Sequence, residues 1–193
     1  MMPADRYRQV AVLHAENISQ GFLATLGVPF LSLMYRALDE AKGSVLLTEE
    51  IHDRVVGFVS GCEGMGSVYR RMLRYPLRLG LALLPSIVRP GRVRRIVEIV
   101  RYGGGEGSTP DLPRAELLSI AVDKSVRGTG VAERLYRRLQ SHFSDRGVDA
   151  FRIVVGDALL PAHRYYRKMG AMPVSRIEVH AGEGSVVYVQ KSA

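Results

Sequence analysis

Residues 121–135, AVDKSVRGTGVAERL, constrain the fold more than any other part of the chain. An apolar strand runs into a turn holding Gly128 and Gly130, and the turn runs into a helix. Such a junction aims several backbone N–H groups and the positive end of the helix dipole at one point, which is the arrangement a phosphate or pyrophosphate needs. Two nucleotide-binding patterns do not fit it. A P-loop needs Gly-Lys-Ser/Thr after a four-residue gap, and a dinucleotide fingerprint needs Gly or Ala where Glu133 stands. On the turn alone, a tight turn with no ligand stays open.

The patterns on either side place this junction in a mixed sheet. AELLSIAVD before it and VDAFRIVVG after it read as strands, so the helix between them joins a strand–helix–strand unit with parallel neighbours. Upstream, Val10, Leu13 and Ile18 after Asp5, an N-cap candidate, predict a helix over about 5–16. A short apolar helix follows, then a second helix starting after Pro29 and stopped by Gly43. SVLLTEEI and RVVGFVSGC, separated by His52 and Asp53, predict a hairpin. Downstream, ALLPAHRYYRKMG predicts a helix, and PVSRIEVHA with GSVVYVQK predicts an antiparallel hairpin across Gly182–Gly184. The chain of 193 residues shows no repeats, and one domain over 1–193 is the expectation.

Charge is concentrated in one place. Between Gly66 and Tyr102 stand nine arginines and a single acid, Glu98, so the whole formal net charge of +8 belongs to this stretch. The block 67–102 reads as a helical insertion, two helices broken around Pro85 and Pro90-Gly91, with a glycine-rich linker over 103–113. Its apolar residues alternate with arginines in a helix-compatible pattern. That pattern fits an anionic membrane surface, an acidic partner, a lid over a substrate site, a homodimer contact or a solvated face packed on the domain. A uniformly basic nucleic-acid coat would look different.

The single Cys62 cannot pair within the chain, and it lacks a neighbouring His in sequence, so burial rather than nucleophilic chemistry is expected of it. No apolar run reaches the ~20 residues of a membrane span, and the N-terminus lacks the apolar block of a signal peptide. The expectation is a cytoplasmic protein, peripheral at the membrane if the arginine block engages lipid. The five histidines show no ligand spacing, and no metal is assigned.

The Arg-x-x-Gly-x-Ala form of RGTGVA, residues 127–132, together with Ala162, Tyr166 and Gly170 in the helix LLPAHRYYRKMGA, resembles the GNAT superfamily of acyl-CoA N-acyltransferases. The resemblance covers the two amino-terminal helices, the hairpin and everything from about Ala115 onward; the block 67–102 falls outside it. It implies an α/β (α+β) fold whose mixed, mostly antiparallel central sheet holds a splayed parallel strand pair. It implies acetyl-CoA, or another acyl-CoA, as co-substrate. The pyrophosphate would be held by the backbone at Arg127, Gly128, Thr129, Gly130, Val131 and Ala132, and the pantetheine arm would pair with Ile120, Ala121 and Val122.

The resemblance makes Tyr166 the general acid for the departing thiolate, with the neighbouring Tyr165 the alternative on spacing. Glu116 is the candidate base for an amine acceptor, grouped by strand parity with Leu118 and Ile120. His163, one helical turn from Tyr166, is a weaker candidate, and a water is a third. Leu159 and Ala171 depart from the family pattern, which has Asn and Phe there. The function implied is N-acetyl transfer to a small-molecule or peptide amine. The alternative is a catalytically silent acyl-CoA-binding module whose basic arm contacts lipid or nucleic acid.

Overall fold

His52 and Asp53 both adopt positive φ, 47° and 61°, the pair of left-handed residues that a two-residue hairpin loop needs to match strand twist. They join β1 (Ser44–Ile51) to β2 (Arg54–Cys62) in antiparallel register from Ile51↔Arg54 to Ser44↔Cys62. The computed structural model describes residues 2–18, 22–87, 112–180 and 183–192. The expected linker 103–113 and the break at Pro90-Gly91 therefore lie almost wholly outside the described residues, as does the tip of the last hairpin.

Two helices precede the hairpin, α1 (Ala4–Asn17) and α2 (Val28–Glu40), with a 3-10 segment, Phe22–Leu26, where a short apolar helix was expected. Asp5 does not cap α1. It sits in the first turn and accepts a hydrogen bond from Gln9 at 2.7 Å. After β2 come α3 (Met65–Met72) and α4 (Pro76–Ile87). The break between them falls at Leu73–Tyr75, with Pro76 in the first helical position that proline favours. Pro85 does not break the chain, contrary to expectation, because it lies in the last turn of α4, where one lost N–H costs little further helix.

The remaining elements are β3 (Ala115–Val122), α5 (Val131–Asp145), β4 (Ala150–Gly156), α6 (Leu160–Lys168), β5 (Met172–His180) and β6 (Glu183–Lys191). The six strands form one sheet in the order β1-β2-β3-β4-β6-β5. Among the described residues only β3 and β4 run parallel; the other pairs are antiparallel. One face of the sheet packs on α1 and α2 around Phe58, Leu31, Tyr35 and Leu38. The other packs on α5 around Leu135, Tyr136, Leu139, Phe151 and Tyr188.

The α1–α2 layer carries two buried polar features that tie folding to pH. Glu40 has a side chain only 3% exposed and bonds Arg36 at 2.8 Å, Arg71 at 2.7 Å and Tyr75 at 2.7 Å, which clamps α2 to the α3–α4 layer. Burial alone would raise its carboxyl, but the hydrogen bonds from Arg36, Tyr75 and Arg71 outweigh it and hold the group at about 2. His14 is buried, and desolvation pushes its imidazole down to about 4. Both groups take up protons more readily once unfolded, so both contribute stability above their unfolded pKa and lose it as pH falls. Urea midpoints are therefore expected to drop in two stages, from about pH 6.5 toward 4 for His14 and from about 4.3 toward 2 for Glu40. His14→Phe should flatten the first stage only. A wild-type midpoint constant from pH 7 to 4 would contradict this.

Candidate active site

The parallel pairing of β3 with β4 comprises Ala115↔Phe151, Glu116↔Arg152 and Leu117↔Ile153, and stops there. Beyond Leu117 the strands part, so Ile120, Ala121 and Val122 keep their bonds to β2 on one side while the side toward β4 has no strand partner. An extended chain of another molecule can add to such an edge. At the end of β3, Asp123 accepts from the Ser125 N–H at 2.9 Å and its hydroxyl at 2.7 Å, and it pairs with Arg54 at 2.9 Å. These contacts, led by the Ser125 hydroxyl, keep its carboxyl below the usual range.

The loop that follows is pinned from inside. The Thr129 hydroxyl donates to the Val126 carbonyl at 2.7 Å, and Arg134 donates to the Thr129 carbonyl at 3.2 Å while also pairing with Glu49 at 3.0 Å. Arg127 donates to the Asn17 side chain at 2.6 Å. Gly128 and Gly130 hold φ of 80° and 81°. A Cβ added at Gly128 would meet nothing within 4 Å, so it would project into open space in front of the loop. Helix α5 starts at Val131, and its first bonded amide is that of Arg134, to the Gly130 carbonyl at 3.0 Å. The N–H groups of Val131 and Ala132 thus have no acceptor within the helix and lie beside the glycine cradle. This set of donors fits a pyrophosphate.

Helix α6 docks on that first turn. The Tyr165 hydroxyl donates to the Ala132 carbonyl at 2.9 Å, and Lys168 pairs with Glu133 at 3.0 Å. Tyr165 is thereby committed to holding the loop. Tyr166 points inward instead, 6% exposed, with its ring centroid 5.3 Å from Tyr165, 6.1 Å from Tyr136 and 6.3 Å from Tyr188. Burial pushes its phenol well above the ordinary value, so it is neutral and carries a proton at pH 7.

Glu116 lies at the last paired rungs before the splay, with its carboxylate 2.9 Å from Arg152. Its expected grouping holds for Leu118 but not for Ile120. The β2–β3 register shifts between Ser60↔Ser119 and Gly61↔Leu117, leaving Leu118 as an extra residue that flips the alternation. Leu117 and Ile120 consequently pack toward α5, while Leu118 and Ala121 pack toward α1 and α2. Glu116, next to Leu117, falls on the α1–α2 face, and Tyr166 packs in the cluster on the α5 face. The two are placed on opposite faces of the sheet.

His163 is spoken for at both nitrogens. Nε2 lies 3.1 Å from the Gly156 carbonyl, which can only accept, so Nε2 carries the hydrogen and Nδ1 accepts from the Tyr188 hydroxyl at 2.8 Å. Its lone pair is thus engaged. Cys62 is buried, and burial pushes its thiol up to about 12, so it is a core residue at neutral pH. Among the described residues no group of three or more His, Cys, Asp or Glu side chains could hold a metal ion. The bulge at Leu118 and the Arg134 and Lys168 braces escaped sequence reasoning. The glycine at Gly61, opposite the bulge, was a signal for the first, and nothing local marks the braces.

The chain matches the model of the acetyltransferase (GNAT) family over residues 15–171. Among solved structures it is similar to an N-acetyltransferase from Staphylococcus aureus Mu50, with 11% identity, 100% of this chain and 96% of that one covered, and a TM-score of 0.63. It is similar to the ribosomal-protein-S18-alanine N-acetyltransferase from Escherichia coli, with 10% identity, 100% and 91% covered, and a TM-score of 0.58. An aminoglycoside 6'-N-acetyltransferase complexed with coenzyme A gives 10% identity, 97% and 91% covered, and a TM-score of 0.59. No curated protein sequence matches the chain.

Proposed function

Because the chain belongs to the acetyltransferase (GNAT) family, we propose that it moves an acetyl or other short acyl group from acyl-CoA directly to an amine, with Tyr166 as general acid. The observation that carries this reading is the coincidence of three features at one end of β3: the open edge beyond Leu117, the glycine cradle at Gly128–Gly130 and the buried, protonated Tyr166. The backbone of Arg127–Ala132 would hold the pyrophosphate, and Ile120–Val122 would pair with the pantetheine arm. This seats the thioester in the splay.

An amine lone pair forms the new C–N bond as the C–S bond breaks, the Tyr166 hydroxyl gives its proton to the departing sulfur, and the proton that the acylated nitrogen then sheds restores the phenol by way of solvent. The amine must first lose its own excess proton. Glu116 receives it from the opposite face of the sheet, so acid and base act from two sides of the same gap. His163, bonded at both ring nitrogens, is left to orient Tyr188 beside Tyr166.

Release of free CoA thiol from acetyl-CoA, measured over a panel of small and peptide amines, tests the reading. Amine-dependent release is expected. Acetyl-CoA binding with no release for any amine would make the chain a binding module instead. Glu116→Gln is expected to lower kcat/KM for the amine roughly a hundredfold and to shift the rising limb of its pH profile upward. An unchanged profile would remove Glu116 from the mechanism.

A further inference from the structure

Helix α4 is apolar on two sides, and the fold uses only one of them. Its inner side, with Ala82 buried and Leu79 and Leu83 packed behind it, belongs to the core beneath α1 and α2. Its outer side carries Leu77, Leu81 and Leu84, at the spacing of one helical stripe, and Leu73 is exposed in the turn just before the helix. These four are 82%, 66%, 54% and 66% exposed, respectively. A contiguous exposed leucine stripe marks a contact surface rather than a solvent face.

Its surroundings say what kind. Arg70 on α3, Arg74 in the turn between the helices and Arg78 on α4 are all exposed, and no Asp or Glu occurs anywhere from Gly64 to Val97. Among the described residues no carboxylate pairs with these three arginines. Arg78 and Leu81 also line a cavity of about 400 Å³ bounded by Tyr7, Pro29, Leu33 and Arg36, so the pairing of cation and apolar wall continues inward from the stripe.

We propose that the α3–α4 face seats on an anionic lipid bilayer, with the leucines at the acyl-chain boundary and the arginines in the phosphate layer. A bilayer interface offers both chemistries within the depth that an amphipathic helix samples, ~5–10 Å. A symmetric contact with a second copy would bring the same arginines together with no acid to answer them. A nucleic-acid backbone would answer the arginines and leave the leucines in water.

The test is co-sedimentation of the full chain with vesicles of phosphatidylcholine alone or with 30 mol% phosphatidylglycerol (roughly the anionic content at which basic segments bind well), at 0.05 and 0.5 M salt (about a threefold change in screening length). Binding is expected to the anionic vesicles only, with at least a tenfold fall in partitioning at high salt. Two variant sets separate the forces: Arg70→Gln with Arg74→Gln and Arg78→Gln, and Leu77→Ser with Leu84→Ser. Each set should lower partitioning about tenfold or more without moving Tm. Loss in the arginine set alone would show electrostatic adsorption without a leucine contact and overturn the proposal. A fall in Tm of several degrees in the leucine set would show that another part of the chain covers the stripe, and a concentration-dependent dimer abolished by that set would make it a homodimer face. Either result overturns the proposal, as does binding to single-stranded DNA that exceeds binding to vesicles. None of these readouts measures turnover, so they stand apart from the acyltransfer reading.

Discussion

Tyr166→Phe is expected to lower kcat by about 10²–10⁴-fold with acetyl-CoA affinity nearly unchanged. The hydroxyl is buried among tyrosine rings and, in the proposed role, acts only as the thiolate leaves, so its removal should be felt in the transition state and not in ground-state binding. Tyr165→Phe is the discriminating control. Its hydroxyl holds the Ala132 carbonyl at the first turn of α5, so its loss should raise the KM for acetyl-CoA and leave kcat close to wild type. The reverse pattern, with Tyr165→Phe carrying the kcat loss, would exchange the roles of the two tyrosines.

Gly130→Val is expected to weaken acetyl-CoA binding at least tenfold, about 1.4 kcal/mol. Gly130 sits at φ 81°, a region that a β-branched side chain enters only with strain. Its Cβ would lie 3.4 Å from the Arg134 guanidinium that braces the Thr129 carbonyl, so the variant disturbs the loop as well as crowding the anion. Circular dichroism establishes that the variant is folded, and calorimetry reads the affinity. Unchanged affinity in a folded variant would remove the loop from the binding site. A fall in Tm with no change in affinity would assign Gly130 a purely conformational role.

How far the sequence carried the reading depended on whether the signal was local. The His52–Asp53 hairpin, the glycine turn and the helix after it are fixed by residues adjacent in the chain, and each lies where expected. Tyr166 could be separated from Tyr165 only through the family register, and the hydrogen bond from Tyr165 to Ala132 now gives a physical reason for the choice. The side on which Glu116 lies was not legible. It depends on one extra residue in β3, and a bulge is decided by the partner strand rather than by the strand that contains it. Proline placement misled for a related reason. Pro76 and Pro85 look equivalent in sequence, yet one opens a helix and the other is tolerated near its end. The Glu40 clamp joins residues 31 and 35 positions apart, which no window along the chain would connect.

The two glycines of β2 under α5 have a consequence beyond packing. A Cβ at Gly57 would stand 2.9 Å from Val131, and one at Gly61 would stand 2.9 Å from Phe143, so the first and last turns of the helix both rest directly on bare backbone. The height of α5 above the sheet is thus set by a strand that contributes no group to the proposed site. That height fixes how far the glycine turn at Gly128–Gly130 stands from the splay, which in the proposed complex is the span a pantetheine arm would have to bridge. In the proposed complex Gly57 and Gly61 would act together as a ruler for the co-substrate. Lengthening the ruler by one methyl at either end would tilt the cradle rather than raise it, displacing the thioester from Tyr166 without altering any residue in contact with it.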